Sequence, residues 1–265
     1  MTLSAYIGGI GVLGPGLHNW PHAAAVLTGE QPYLSAPTLL PTPAMLPPAE
    51  RRRTGRVVKL ALAVALEATA SADADPTLLP SVFSSSGSDG HICHEICQAL
   101  ALSSREVSPT RFSNSVHNVA AGYWSIATGS MAESNVLCAF DASFIAGLLD
   151  ALTQVAVDRQ SVLLVAYDSE YPAPLHAKRP IPDALGVAMV LTPGRNATSK
   201  ARIELTLTDE TYDSMSDLQL EALRGAIPAA RSLPLLRLLA IGAPGRAVLD
   251  YLDVSRAAVQ IEPCC

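Results

Sequence analysis

The sequence predicts an α/β fold, a mixed, largely parallel sheet with helices on both faces. Three features carry the expectation. SNVLCAF, FIAGLLDALTQVAV and DRQSVLLVAY follow one another as strand, helix and near-continuously apolar strand, the pattern of a βαβ unit buried on both sides. Of the 265 residues 49% are apolar and only 16% charged, enough for a sizeable core and a subunit interface. Apolar strand-like runs, namely SAYIGGIGVL, LPSVF, ALGVAMVLT and ARIELTLT, recur along the chain between helical patterns.

SAYIGGIGVLGPG reads as an apolar strand running into a glycine-rich turn. Gly9, Gly11 and Gly14 are followed by Pro15 and Gly16, with no helix opening on the last glycine. A dinucleotide loop is therefore not expected. Six prolines between Gln31 and Pro48 remove backbone donors and fix φ, which predicts an extended surface segment. ERRRTGR then leads into an apolar helix at about Val57 to Ser71. Arg51 to Arg53 suit either a solvated helix start or a phosphate grip.

LPSVFSSS is a strand of the buried type, and a helix from His91 to about Leu102 follows SGSDG. His91, Cys93, His94 and Cys97 invite a metal reading, but four ligands on one short helical stretch cannot close a tetrahedron. Buried thiols and exposed imidazoles are expected instead, with no metal site. SNSVHNVAAGYWSIATG contains a small-residue-rich helix. Val116, Val119, Ala120, Tyr123 and Ala127 mark one face; His117, Ala121, Trp124 and Thr128 mark another. A helix apolar on both faces is buried twice, once in its own core and once against something else.

LCAFDASFIAG joins strand to helix through a sharp turn of the kind that carries a nucleophile in many α/β enzymes. Cys138 sits on the strand side, and the turn carries Asp141. At a helix N-terminus Asp141 suits a structural N-cap; a catalytic base is the alternative. ALGVAMVLT and ARIELTLT are expected to pair antiparallel through PGRNATSK. Beyond Thr211 helices are expected at Asp217 to Arg224, Leu233 to Ala240 and Arg246 to Leu252, before a closing strand, AVQIEP. The expected division is 1–195 and 196–265, the second part packed on the first.

The net charge of −6 makes nucleic acid and anionic membrane poor partners. Five unpatterned cysteines, two of them the terminal Cys264 and Cys265, suit a reducing compartment and a cytoplasmic protein. There is no signal-peptide pattern, and no uncharged apolar run of membrane-spanning length.

Together these segments resemble the N-terminal half of the β-ketoacyl synthases, the condensing enzymes of the thiolase fold. SAYIGGIGVLGPG is similar to their first strand and turn, and ERRRTGRVVKLALAVALEA to their arginine-rich lead-in to the first long helix. VSPTRFSNSVHNVAAGYWSIATG resembles their Ser-Pro segment and interface helix, and RPIPDALGVAMVLTP the strand after their Arg-Pro turn. Ser108 through Ser143 aligns without a gap, with Ser108-Pro109, Asn118, Ala121-Gly122, Gly129 and Ser143 matching in type. The likeness runs from about Ala5 to Pro193 and implies a truncated thiolase-like fold with a reduced C-terminal region.

The resemblance also marks two departures. The family elbow reads Ala-Cys-x-Ser, whereas this chain has Phe140-Asp141-Ala142-Ser143, so Asp141 stands in the nucleophile's place. The family's catalytic histidines and its phenylalanine-rich glycine loop belong to a C-terminal half, yet the last histidine here is His176. Without thiolate and imidazoles the condensing chemistry lacks its groups. The likeness is nearest to short chain-length factors of aryl-polyene-type systems, inactive homologues that pair with an active synthase. It implies no catalytic residue and no cofactor in this chain. It also implies an acyl-tunnel or interface role for His117, Asn118, Ala121, Trp124, Thr128, Asp141 and Ser143, and only indirect contact with acyl carrier protein. Trp124 suits core and interface equally. A stand-alone acyl-transfer enzyme or acyl-hydrolase using Cys138 or Asp141, and a homodimeric acyl-binding module, are the competing readings.

Overall fold

A computed structural model describes residues 2–264; Met1 and Cys265 lie outside them. In chain order the elements are β1 Leu3–Leu13, α1 Trp20–Thr28, α2 Pro48–Arg51, α3 Arg56–Ser71, β2 Ser81–Ser84, α4 Gly90–Ala101, α5 Pro109–Asn114 and α6 Val119–Thr128. They continue as β3 Ser134–Leu137, α7 Ser143–Asp158, β4 Val162–Asp168, β5 Leu185–Thr192, β6 Ala201–Thr208, α8 Leu218–Ala226, α9 Leu233–Ile241, β7 Gly245–Asp250 and β8 Arg256–Pro263. The eight strands form one mixed sheet in the order β3-β2-β4-β5-β1-β6-β8-β7.

The βαβ unit is present, with β3 and β4 both parallel to β2, which lies between them. The parallel part ends there. The other pairings are antiparallel, so the sheet is mixed rather than largely parallel. Alternate residues of β4 serve opposite cores, and all seven are buried. Val162, Leu164 and Ala166 face a cluster with α7, α1 and α9. Leu163, Val165 and Tyr167 face a cluster with α3 and α6. Burial on both sides gives the strand its unbroken apolar run.

The glycines of β1 have a packing explanation. A Cβ on Gly9 would lie 2.0 Å from the Ala68 carbonyl oxygen, and one on Gly11 2.1 Å from that of Val64. The backbone of α3 therefore rests directly on the strand, an approach that side chains would forbid.

Two expectations after residue 180 are corrected. β5 and β6 do not form a hairpin, because β1 lies between them. β5 pairs with Tyr6 to Leu13 and ends at Tyr6; β6 starts opposite Ile7 and pairs with Leu3 to Ile7. The chain thus changes edges of one long strand where that strand's register shifts, between Ile7 and Gly9. The segment expected as a helix from Arg246 to Leu252 is mostly strand β7, paired with β8. A short apolar run has no period long enough to separate the two states, and the β8 edge decided it.

The segment Phe140–Asp158 is long and apolar enough, by length and composition alone, to cross a membrane. Phe144, Ile145, Leu148, Leu152 and Val155 along it are buried in the core.

Candidate functional site: the elbow between β3 and α7

β3 ends at Leu137, so Cys138 lies beyond the strand rather than within it. The residue is exposed, and its Sγ donates to the Ser86 carbonyl at 3.3 Å. Phe140 to Ala142 form one turn of 3₁₀ helix that runs straight into α7. Phe140 has φ 52°, a left-handed conformation that costs a non-glycine residue about 1–3 kcal/mol. Two contacts hold it there. Ser143 Oγ accepts from the Ala139 N–H at 3.0 Å and donates to the Phe140 carbonyl at 2.7 Å. The Phe140 ring lies 3.8 Å beneath the Arg179 guanidinium, a cation–π contact.

Asp141 does not cap α7. Ala142 occupies the N-cap position, with no side-chain bond, and the Asp141 carboxylate turns toward two arginines. Oδ1 accepts from Arg179 Nη2 at 2.5 Å and Oδ2 from Arg231 Nη2 at 3.0 Å. The charges continue outward: Arg231 Nη1 meets Asp250 at 2.9 Å, and Asp250 meets Arg256 Nε at 3.4 Å. Five alternating charges thus tie the elbow to β7 and β8. The dipole argument for an N-cap loses here because two guanidiniums offer stronger, charge-assisted bonds than backbone amides.

Asp141 and Arg231 line two cavities, of about 740 Å³ and about 410 Å³. Each carboxylate oxygen already serves a guanidinium. Among the described residues no histidine or cysteine is hydrogen-bonded to Asp141. The arrangement can hold charge and shape.

The remaining predicted residues divide. Trp124 is only 1% exposed, and Ala121 is buried beside it in the α3–α6 core. Thr128 Oγ1 donates to the Trp124 carbonyl, closing the helix end. His117 lies in the turn between α5 and α6, where both ring nitrogens are buried without a partner. The outward stripe of α6 instead carries Asn118, Gly122 and Ile126, all exposed. On α4, Cys97 is exposed and Cys93 only half-buried, which corrects the expectation of buried thiols. That helix buries little beyond Gly90 and leaves Leu100 and Leu102 in solvent.

Sequence reasoning missed Arg231, Asp250 and Arg256, isolated charges in a region read only for helices. Arg179 stood in the quoted Arg-Pro turn without a role. It also missed Asp168, whose carboxylate accepts from Ser86 N–H and Oγ and from the Ala229 N–H. That bond set joins β2, β4 and the turn before α9 behind the elbow. Burial raises this carboxyl to about 6 despite those bonds.

A family model described as "Beta-ketoacyl synthase, N-terminal domain" matches residues 19–237, so the pattern continues well past Pro193. A comparison with curated proteins finds no match. Among solved structures the chain is similar to "Ketosynthase (ApeO) in Complex with its Chain Length Factor (ApeC) from Xenorhabdus doucetiae". The TM-score is 0.73 at 24% identity, over 97% of this chain and 99% of that one. It is also similar to "The ishigamide ketosynthase/chain length factor", with TM-score 0.73 at 13% identity over 99% and 100% of the two chains. A third structure, the AntDE:AntF complex described as a type II PKS acyl-carrier protein with its ketosynthase bound to the hexaketide, gives TM-score 0.76 at 10% identity over all of both chains. At such identities these structures speak for the fold, which is the thiolase-like ketosynthase fold. With the family pattern matching most of its length, the chain belongs to the beta-ketoacyl synthase N-terminal domain family.

Proposed function

We propose that this chain is a non-catalytic, chain-length-factor-type subunit that pairs with an active β-ketoacyl synthase and walls part of its acyl tunnel. The reading rests on Asp141, which takes the nucleophile's place in the resemblance to the family and is held by Arg179 and Arg231. In this scheme the partner supplies thiolate and imidazoles, and this subunit forms no bond to substrate. It excludes water from the growing chain and sets how far that chain can extend. Carrier protein delivers to the partner, so its contact with this chain is indirect. The reading puts this work in the cytoplasm and in aryl-polyene-type or related type II elongation, without a cofactor.

The surface supports a partner at one particular end of the sheet. The two edges are treated differently. On β7 the Val248 N–H donates to Asp213 Oδ2 and the Val248 carbonyl accepts from the Asp213 N–H, both at 2.8 Å, which blocks that edge. On β3 the first two residues, Ser134 and Asn135, are exposed. Phe112 on α5, Val116 before α6, Ile126 on α6 and Phe140 after β3 are each more than 40% exposed. Large apolar side chains left exposed favour a protein partner.

The test is co-expression with an intact synthase encoded beside it, followed by native mass spectrometry and an elongation assay with acyl carrier protein. A one-to-one complex that elongates, with each subunit inactive alone, is the expected result. Turnover by the isolated chain that is lost in Asp141→Ala or Cys138→Ser would overturn it, and so would the absence of any complex.

A further inference from the structure

A third cavity lies away from the elbow and shares no lining residue with it. Its volume is about 650 Å³, within the usual range for a small-molecule site. One wall is the face of α3 that presents Lys59, Leu62, Ala63 and Leu66; the opposite wall is the proline-rich segment, with Leu39 and Met45. Leu39 is 75% and Met45 46% exposed, so apolar side chains line this opening with nothing over them. The segment is stiffened by Pro41 and Pro43, which lowers the entropy lost on closing over a ligand.

The polar groups select the ligand's head. The one carboxylate in the lining, Glu67, is already satisfied: it accepts from the Val12 N–H at 2.9 Å and the Trp20 N–H at 2.6 Å. Asn19 Oδ1 is engaged by the His22 N–H. Lys59 is half-buried, and its ammonium has no partner among the described residues. The charge in the lining without a protein partner is therefore positive, at one end of an apolar trough. Lys59 and Leu66 are separated by about 10 Å along the helix axis at 1.5 Å per residue.

We propose that this groove binds a medium-chain fatty acid, its carboxylate on Lys59 and its alkyl chain along Ala63 and Leu66 toward Met45. The site is independent of the elbow and of any synthase partner.

Decanoate and decanol, which differ only in the head group, are the probes. They are titrated into the full-length chain by displacement of a fluorescent fatty acid. Decanoate is expected to bind about tenfold more tightly than decanol, the worth of one charge-assisted contact. Lys59→Met should remove that difference while leaving decanol unchanged. Ala63→Phe, at a partly exposed position, should abolish both at an unaltered circular dichroism spectrum and melting temperature. A diazirine-bearing decanoate should crosslink to peptides of α3 or of residues 39–45, which locates the site even when a synthase co-purifies. The proposal is overturned by no binding, by equal affinity for the two probes, by decanoate affinity indifferent to Lys59→Met, or by crosslinks confined to the elbow or to β3. If Ala63→Phe fails to fold, the Lys59→Met comparison and the crosslink map decide alone.

Discussion

Removing the Asp141 carboxylate is expected to destabilise the protein, because it strands a positive charge. The side chains of Arg179 and Arg231 are 21% and 17% exposed, and that of Asp141 is 35% exposed. The pairs therefore lie between the surface case, worth about 0–1 kcal/mol each, and the buried case, where losing one partner costs about 3–5 kcal/mol. The two arginines are not equivalent. Arg231 keeps Asp250 at 2.9 Å, whereas among the described residues Arg179 keeps the Phe140 ring and a longer-range attraction to the buried Asp168. Most of the cost thus falls on Arg179, and about 2 kcal/mol is expected for Asp141→Ala. In a chain of this size that lowers the melting temperature by about 4–8 °C. The assay is thermal unfolding of wild type, Asp141→Ala, Arg179→Met and the double variant. The double variant should recover part of the loss, since the unpaired guanidinium is gone, and the coupling should shrink in high salt. A melting temperature unchanged in Asp141→Ala, or a double variant that loses the two single effects in full, would refute the clamp.

Four other outcomes follow from the same structure. Asp168 is fully buried, and burial raises its carboxyl from the ordinary 3.8 to about 6. The folded state holds this proton more tightly than the unfolded chain, so the contribution is full below about pH 4 and lost as the pH rises through about 6, by at most about 3 kcal/mol. Urea midpoints measured across that window should fall with pH in wild type and stay flatter in Asp168→Asn. Gly11→Ala would drive a Cβ to 2.1 Å from the Val64 carbonyl oxygen; a loss of about 3 kcal/mol is expected by chemical denaturation. A Cβ at Gly122 would meet no atom within 4 Å, so Gly122→Leu should leave the melting temperature within about 2 °C yet block co-purification with a synthase. Asp213→Ala frees the Val248 N–H on the β7 edge, with the backbone bond to the Val248 carbonyl retained, and should raise the self-associated fraction in sedimentation velocity.

What the sequence alone determined is what local pattern and ordered motifs can carry. The βαβ unit was legible because β4 is buried on both faces and so reads as an unbroken apolar run. The long α3 helix was legible in its periodicity. Tertiary structure decided the rest, since each remaining feature depends on residues far apart in the chain. β5 and β6 read as a hairpin because sequence proximity favours one, but the longer apolar edges of β1 bind them both. The β1 glycines did not suit a dinucleotide loop, but their reason is tertiary, since α3 rests directly on them. Trp124 suited core and interface equally in sequence; the α3 layer buries it in this chain, and Gly122 and Ile126 are left facing outward. Asp141 suited an N-cap by position, yet its partners come from 38 and 90 residues away. Only folding brings those guanidiniums to the turn, and they outcompete the helix amides for its charge.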